Sequence, residues 1–213
     1  RPKHLLVVCS LTLLTLAALA ERSGAQDAAA GLLAGRTPSD SADATGTDRL
    51  TDGIASQDGD PWLTNLSSHL SSRQSHVDWD LGSVQPVRCA FIQGDNDDAY
   101  HLLGSRDGKF WSPLWTAGPV GGAGMRVRSG RLEGEARYLR LVASGGDGRY
   151  AVAEVGAFAS CPAPWPPELD QRPGVSLVDG ARGKIWLFAL ALMGFILLHD
   201  RRAGRAKLLL GVV

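Results

Sequence analysis

The chain has 213 residues, and its 22 Lys and Arg residues balance its 22 Asp and Glu residues, so the formal net charge is zero. Balanced charge excludes the strongly basic surface typical of nucleic-acid-binding proteins, and we expect no nucleic-acid partner. The length allows one ordinary domain with appendages. The 26 glycines and 6 tryptophans favour many short strands joined by tight turns.

Residues 1–20 have the organisation of a secretory signal peptide. Arg1 and Lys3 precede an apolar core, and an Ala-Leu-Ala motif at 18–20 provides a cleavage site. An uncleaved anchor helix is the alternative, and in both cases the following residues leave the cytoplasm. Residues 21–48 are rich in Ala, Gly, Ser, Thr and Asp, a composition that predicts a disordered linker.

Residues 49–161 contain strand patterns at short spacing. In "HVDWDL", Val77, Trp79 and Leu81 alternate with polar residues, and further apolar segments of similar length follow. The Asp-Gly pair at 107–108 between two such segments predicts a hairpin. Many short strands without a convincing helix indicate an all-β fold, an antiparallel β-sandwich or jelly roll.

The C-terminal part of the sequence predicts attachment to a membrane. Residues 162–183 are Pro-rich and predict a semi-rigid stalk. The apolar run within 184–200 is shorter than the roughly 20 residues of a typical spanning helix, so a buried helix is the alternative. The flanking Trp186 and Lys184, and the basic residues after the run, instead favour a transmembrane helix. We therefore predict a basic cytoplasmic turn over 201–213 that leads into the start of a second span.

Four ordered motifs in the strand-rich block carry a family resemblance. They are D-L-G after a tryptophan in "VDWDLGS", S-x-D-G-x-x-W in "SRDGKFW", A-R-Y-x-R-L in "ARYLRL", and a late strand with a glutamate in "YAVAEVGAF". Together they make residues 49–160 resemble the discoidin or coagulation factor 5/8 type C domain. That family has a galactose-binding-like β-sandwich, shared with many carbohydrate-binding modules. The resemblance implies an eight-stranded jelly roll, ligand-binding loops at one end, and no catalysis. Known ligands of the family are sugars, phospholipid headgroups, collagen and other proteins.

The same resemblance implies a structural Ca²⁺, which many members of that family hold. The corresponding residues here are Asp52, Asp58, Asp60 and Glu154. Pro61 stands where the common pattern has Thr, which removes one expected oxygen ligand. Glu154 lies within an apolar strand pattern, where an unpartnered carboxylate costs several kcal/mol. Its partner is Ca²⁺, a guanidinium of Arg137 or Arg140, or backbone N–H groups of the N-terminal turn.

Three groups of residues are candidates for ligand contact, each with a plainer alternative. They are Asp95, Asn96 and Asp97 in "GDNDD", Trp111 and Trp115 in "FWSPLWT", and Arg126 and Arg128 in "GMRVRS". The acidic run is also typical of a solvated turn. The tryptophans could pack in the core, although Pro113 between them indicates an edge strand. The arginines could line a solvated strand face.

Two cysteines, Cys89 and Cys161, lie in the predicted domain. An exported domain with two cysteines permits one disulfide, and two free thiols are the alternative. No G-x-S-x-G, H-E-x-x-H or P-loop motif occurs in the sequence.

The combined expectation is a non-catalytic binding module on the extracytoplasmic side, periplasmic or extracellular, tethered to the membrane by its C-terminal helix. It recognises a glycan or another surface ligand. One alternative is the exported accessory domain of a multi-pass membrane enzyme, such as a glycosyltransferase acting on lipid-linked sugars. Another is a structural subunit that packs against partner subunits of a membrane complex.

Overall fold

The computed structural model describes residues 31–177 and Met193. The described residues lie mostly in antiparallel strands, with one short 3₁₀ helix at Thr47–Arg49. The strands are β1 (Asp40–Ala42), β2 (Ala44–Thr45), β3 (Ile54–Ser56), β4 (Ser68–Leu70), β5 (His76–Asp95), β6 (Asp98–Ser105), β7 (Ser112–Ala117), β8 (Met125–Gly145), β9 (Tyr150–Phe158) and β10 (Asp170–Arg172). The all-β expectation is therefore confirmed for this part of the chain.

The main sheet folds into two layers, and two long strands, β5 and β8, run through both of them. The second half of β5 pairs with β9 and with the first half of β8, and β9 pairs with β4. The first half of β5 pairs with β1 and with the second half of β8, which also pairs with β6. The register breaks between Asp80 and Gln85 and between Val87 and Cys89, near the middle of β5. Both long strands thus contribute to both layers.

One hydrophobic core contains residues from both layers. Val77, Trp79 and Leu81 on β5 are buried together with Leu139 and Leu141 on β8, as the alternation in "HVDWDL" predicted. Trp79 is fully buried and is among the largest side chains of the core. The period-2 pattern therefore identified the inward face correctly.

Strand β7 lies at one edge of the sheet, as Pro113 predicted. It pairs with β6 on one side, and the turn between the two strands contains Asp107 and Gly108. Gly108 has a φ of 73°, a left-handed conformation that favours glycine. The hairpin predicted from the Asp-Gly pair is therefore present.

Residues 31–48 belong to the folded domain, so the prediction of a linker over 21–48 is wrong for this part. Leu33 is fully buried in the core, and the Leu32 N–H donates to the Ala157 carbonyl at 2.6 Å. β1 and β2 pair with β5 and β4 respectively. These strands are two or three residues long, and pairing with longer strands forms them rather than a pattern of their own.

The beginning of the predicted stalk is also part of the domain. β10 pairs in parallel with β3, and Trp165 and Leu169 pack against Phe158. Cys89 and Cys161 are joined by a disulfide, with their Cα atoms 5.4 Å apart. The boundary predicted at residue 161 was therefore placed too early, because a Pro-rich composition does not exclude packing against a neighbouring surface.

The sheet belongs to the first of two compact units, Arg1–Gly174; the second is Val175–Val213. The predicted signal peptide (1–20), membrane helix (184–200, except Met193) and basic turn with the start of a second span (201–213) lie outside the described residues. Within the described part of the chain, no helix has the length and apolar character needed to cross a bilayer.

Candidate functional site

Glu154 lies in the middle of β9, opposite Gln93 of β5, and only 5% of it is exposed. Its Oε2 accepts a hydrogen bond from the Gly53 N–H at 3.2 Å. Burial, followed by the charge of neighbouring Asp52, raises the pKa of Glu154 to about 9. Without a cation, Glu154 therefore retains its proton at neutral pH.

The arginines considered as partners of Glu154 pair with other acids. Arg140 makes a bidentate contact with Asp78, at 2.7 and 2.6 Å, and Arg137 does the same with Asp80, at 2.9 Å for both bonds. Both pairs lie across β5 and β8, where Asp78 and Arg140 are direct neighbours in the register. The arginine alternative for Glu154 is therefore wrong, and the backbone alternative describes its observed hydrogen bond.

The four acids suggested for Ca²⁺ are only partly brought together. Asp52 and Glu154 are neighbours, but Asp58 forms an ion pair with Arg126 at 2.9 Å. Asp60 accepts hydrogen bonds from the backbone N–H groups of residues 57 and 174. Asp52 and Glu154 offer oxygen ligands to a hard cation, because they are two crowded carboxylates that hydrogen-bond each other. Arg172 interacts electrostatically with Asp52. Asp58 and Asp60 do not join that set.

The acidic run 95–98 connects the two layers at the end of β5. Asp95 ends β5, and Asp98 begins β6. The Asn96 N–H donates to Asp95 Oδ1 at 2.9 Å, while the Asn96 side chain donates to the Gly122 carbonyl at 2.9 Å. The turn chemistry expected of Asn and Asp is therefore present, and it fixes the run against the loop before β8.

Two of the acids in this run are buried. Asp95 is 6% exposed, and Asp98 is fully buried. Burial raises the pKa of both, and the charge of Asp97 adds to the effect, so that the pKa of Asp98 is raised to about 7. The Tyr100 hydroxyl lies 3.2 Å from Asp98 Oδ2 and donates to the Ala151 carbonyl at 2.7 Å. These carboxylates are thus held in a state that is unfavourable for an ionised group.

Arg128 lies behind the acidic run and is only 7% exposed. Its guanidinium donates to the main-chain carbonyls of Asp95 and Asp98 at 3.0 and 3.2 Å, and it lies 5.0 Å from the centre of the Tyr100 ring. It therefore holds the backbone of the run and is inaccessible to a ligand. Arg126 is occupied by Asp58. The prediction that these arginines meet an anionic ligand, and its solvated-face alternative, do not describe Arg128.

An open cleft of about 510 Å³ lies in front of the acidic run. Its lining combines carboxylates, an amide, an indole and the backbone of a glycine-rich loop. The lining residues are Gly59, Pro61, Trp62, Asp95, Asn96, Asp97, Gly122, Ala123, Gly124 and Asp147. Three of the predicted ligand residues, Asp95, Asn96 and Asp97, therefore line one cavity.

Trp62 is the aromatic side chain of this cleft. It packs on Met125 and Ala151 from the inside, and its ring meets the His69 ring edge-on at 5.7 Å. A second hollow, of about 280 Å³, lies between Trp62, His69 and Arg149. The half-buried indole thus borders two concave surfaces, with its inner edge fixed by packing.

Trp111 and Trp115 lie outside this cleft. Trp115 packs against the core, and the Arg140 guanidinium lies 4.2 Å from the centre of the Trp111 ring. The plainer expectation for Trp115 therefore describes it. From the sequence, Trp62 was expected only to cover the margin of the domain, Asp98 was expected to belong to the same acidic turn as Asp95 and Asp97, and Asp147 had no predicted role. The only sequence signal near Trp62 was the D-P-W pattern after an Asp-Gly turn, and this pattern was interpreted as part of the Ca²⁺ site.

Comparisons with known proteins give structural similarities only. No protein-family profile matches the sequence, and no curated protein matches it significantly. Chitosan-binding module 1, derived from a chitosanase/glucanase of Paenibacillus sp. IK-5, aligns over 61% of this chain and 98% of its own, with 17% identity and a TM-score of 0.45. CpGH89CBM32-5 of Clostridium perfringens, in complex with GalNAc-β-1,3-galactose, aligns over 53% and 82%, with 18% identity and a TM-score of 0.39. CBM32 of AlyQ, in complex with 4,5-unsaturated mannuronic acid, aligns over 59% and 100%, with 18% identity and a TM-score of 0.40.

Proposed function

We propose that the domain is a non-catalytic module that binds carbohydrate in the cleft at the end of β5. The observation that carries this proposal is the composition of the cleft, where one indole faces a row of hydrogen-bonding groups across about 510 Å³. Ligand sites usually combine apolar surface with a few well-placed polar groups. The resemblance of residues 49–160 to the discoidin family, whose ligands include sugars, is in keeping with this function.

The two kinds of lining group match the two kinds of surface on a sugar. The C–H face of a pyranose ring is apolar and can stack on the Trp62 indole. Hydroxyl groups can donate to the carboxylates of Asp97 and Asp147, both of which are exposed at the cleft. An open cleft with few polar anchors predicts modest affinity.

Nothing in this cleft requires a chemical step. The sequence predicts, in addition, that the module is exported and attached to a membrane through residues 184–200. Such an arrangement would present the cleft to surface glycans.

The test is binding of the full chain to a panel of neutral, acidic and amino polysaccharides by affinity electrophoresis, followed by calorimetry on the best ligand. Trp62→Ala should weaken binding by at least about tenfold, which is about 1.4 kcal/mol. Asp147→Ala, on an exposed turn, should weaken it without changing the fold. Trp111→Phe serves as the matched aromatic control, because Trp111 lies outside the cleft.

Two results would overturn the proposal. One is the absence of retardation by every polysaccharide. The other is a ligand that the Trp62→Ala and Asp147→Ala variants bind as tightly as the wild type does, while the Trp111→Phe variant no longer binds it. Thermal melts of each variant separate loss of a contact from loss of the fold.

A further inference from the structure

Three carboxylates at the floor of the cleft lie close enough to share one ion. One oxygen from each of Asp95, Asp97 and Asp98 lies within 4.8 Å of the others. Asp97 is exposed at the cleft, whereas Asp95 is nearly buried and Asp98 is completely buried. The group therefore extends from the solvent into the domain.

Asp98 gives this group a feature that an ordinary acidic turn lacks. Its Oδ1 is buried and has no hydrogen-bond partner among the residues that the structure describes. Buried polar atoms in native proteins nearly always have a partner, so an orphaned carboxylate oxygen calls for one. The loop at Gly146 closes over this oxygen, since a Cβ at that position would collide with Oδ1. A cation bound by the three carboxylates would give this oxygen a partner.

The neighbouring cation only partly offsets the charge of the group, because Arg128 lowers the pKa of Asp95 while burial and the other carboxylates raise it. Arg128 donates to the main-chain carbonyls of Asp95 and Asp98, and no described ion pair joins it to a carboxylate of the run. Asp147, on the adjacent turn, adds a further negative charge. Like charges at this spacing repel each other, and the repulsion is strong where water is excluded.

We infer that Asp95, Asp97 and Asp98 bind a hard divalent cation, for which Ca²⁺ is the best fit, at the floor of the cleft. All the side-chain donors are oxygens, which excludes a preference for zinc or copper. Ca²⁺ accepts six to eight oxygens in irregular geometry, so three carboxylates leave positions for water on the open side. This ion is separate from one held by Asp52 and Glu154, because it uses different residues.

The test measures Ca²⁺ binding to the full chain by calorimetry at pH 8, with no glycan present. Glu154→Gln is the background, because it weakens any site at Asp52 and Glu154. In that background we expect one Ca²⁺ per chain, with a Kd of about 1 mM or below, as in extracellular calcium modules. Adding Asp97→Asn should raise the Kd at least tenfold, and adding Asp98→Asn should do the same.

Glu133→Gln in the same background is the control, because it removes one exposed negative charge from β8 and should leave the Kd unchanged. The inference is overturned if the Glu154→Gln protein binds no Ca²⁺ up to about 10 mM, well beyond the range of extracellular modules. It is also overturned if Asp97→Asn and Asp98→Asn, both still folded by circular dichroism, bind Ca²⁺ like the background. Since no glycan enters the measurement, it is independent of the carbohydrate proposal.

Discussion

Aspartate side chains at the two ends of β5 have opposite electrostatic environments. At the beginning of the strand, Asp78 and Asp80 each meet an arginine of β8 in a bidentate contact, and the hydrogen bonds of Arg137 lower the pKa of Asp80 to about 2. At the end of the strand, burial raises the pKa of Asp95, and it raises the pKa of Asp98, the first residue of β6, to about 7. We call Asp78 and Asp80 the paired carboxylates.

Asp95, Asp98 and Glu154 form the second group, whose carboxylates accept no hydrogen bond from an arginine among the described residues, and we call them the crowded carboxylates. Folding stabilises the ionised form of Asp80 and destabilises the ionised form of the crowded carboxylates. Groups whose ionised form is destabilised by the fold concentrate at functional sites. The paired carboxylates therefore hold the sheet together, whereas the crowded carboxylates are available to a ligand.

The largest effect that tests this comparison is the pH dependence caused by Glu154. Its pKa is raised in the folded state, to about 9, so its contribution to stability is complete below pH 4.5 and is lost as pH rises toward 9. With chelator present, the free energy of unfolding should fall between pH 5 and 8 by up to roughly 1.4 kcal/mol per unit. Urea denaturation of Glu154→Gln should show most of this slope removed. An unchanged slope would show that the proton taken up on folding is bound by a group other than Glu154.

The next effect is the loss of a paired carboxylate's partner. Arg140→Met leaves Asp78, which is 7% exposed, without its guanidinium. We expect a loss of about 3 kcal/mol in the free energy of unfolding, because an uncompensated buried charge remains. Arg106→Met is the matched control, since its ion pair with Glu135 is exposed and should contribute less than about 1 kcal/mol. Equal losses in the two variants would contradict the distinction.

A smaller effect of the opposite sign is expected for Asp98→Asn. The amide removes the repulsion from Asp97 and keeps an acceptor for the Tyr100 hydroxyl. At pH 8 and without Ca²⁺, this variant should be more stable than the wild type by about 1 kcal/mol, and the difference should shrink as pH falls below 7 and vanish below pH 3.8. Thermal melts at the two pH values measure it. A large destabilisation at pH 8 would assign Asp98 to the paired group.

The smallest effect concerns Asp80, which lies at the surface. Its pKa is lowered in the folded state, so its contribution to stability is present above pH 3.8 and is lost as pH falls toward 2. Asp80→Asn should therefore lower the melting temperature slightly at pH 7. The difference between variant and wild type should shrink below pH 4. A difference that grows with acidity would reverse the sign assigned to this residue.

The sequence predicted the parts of this fold that depend on local pattern. The inward face of β5, the Asp-Gly hairpin and the edge position of β7 each follow from the identity and spacing of a few neighbouring residues. The strands β1, β2 and β10 could not be predicted in this way. They are two or three residues long, carry no pattern of their own, and exist because a neighbouring strand offers free hydrogen-bonding groups.

The candidate site was likewise predicted only where its residues are neighbours in the sequence. Asp95, Asn96 and Asp97 are adjacent in sequence, so they remain together in the fold. The partners of Arg137 and Arg140 depend on the register between β5 and β8, which lie about 60 residues apart along the chain and are aligned only by tertiary pairing. Trp62, the 95–98 run and the turn at Asp147 are also brought together only by tertiary pairing. No local sequence pattern could therefore predict that they line one cleft.

The disulfide has a mechanical consequence. Cys161 follows β9 directly, and its bond to Cys89 spans 72 residues to reach the middle of β5. Once the pairing of β10 with β3 has broken, a pull on the chain beyond residue 161 is therefore carried covalently to the central strand of the domain as well as along the backbone to β9. The cleft, at the far end of the same strand, can keep its shape while the tail is under tension.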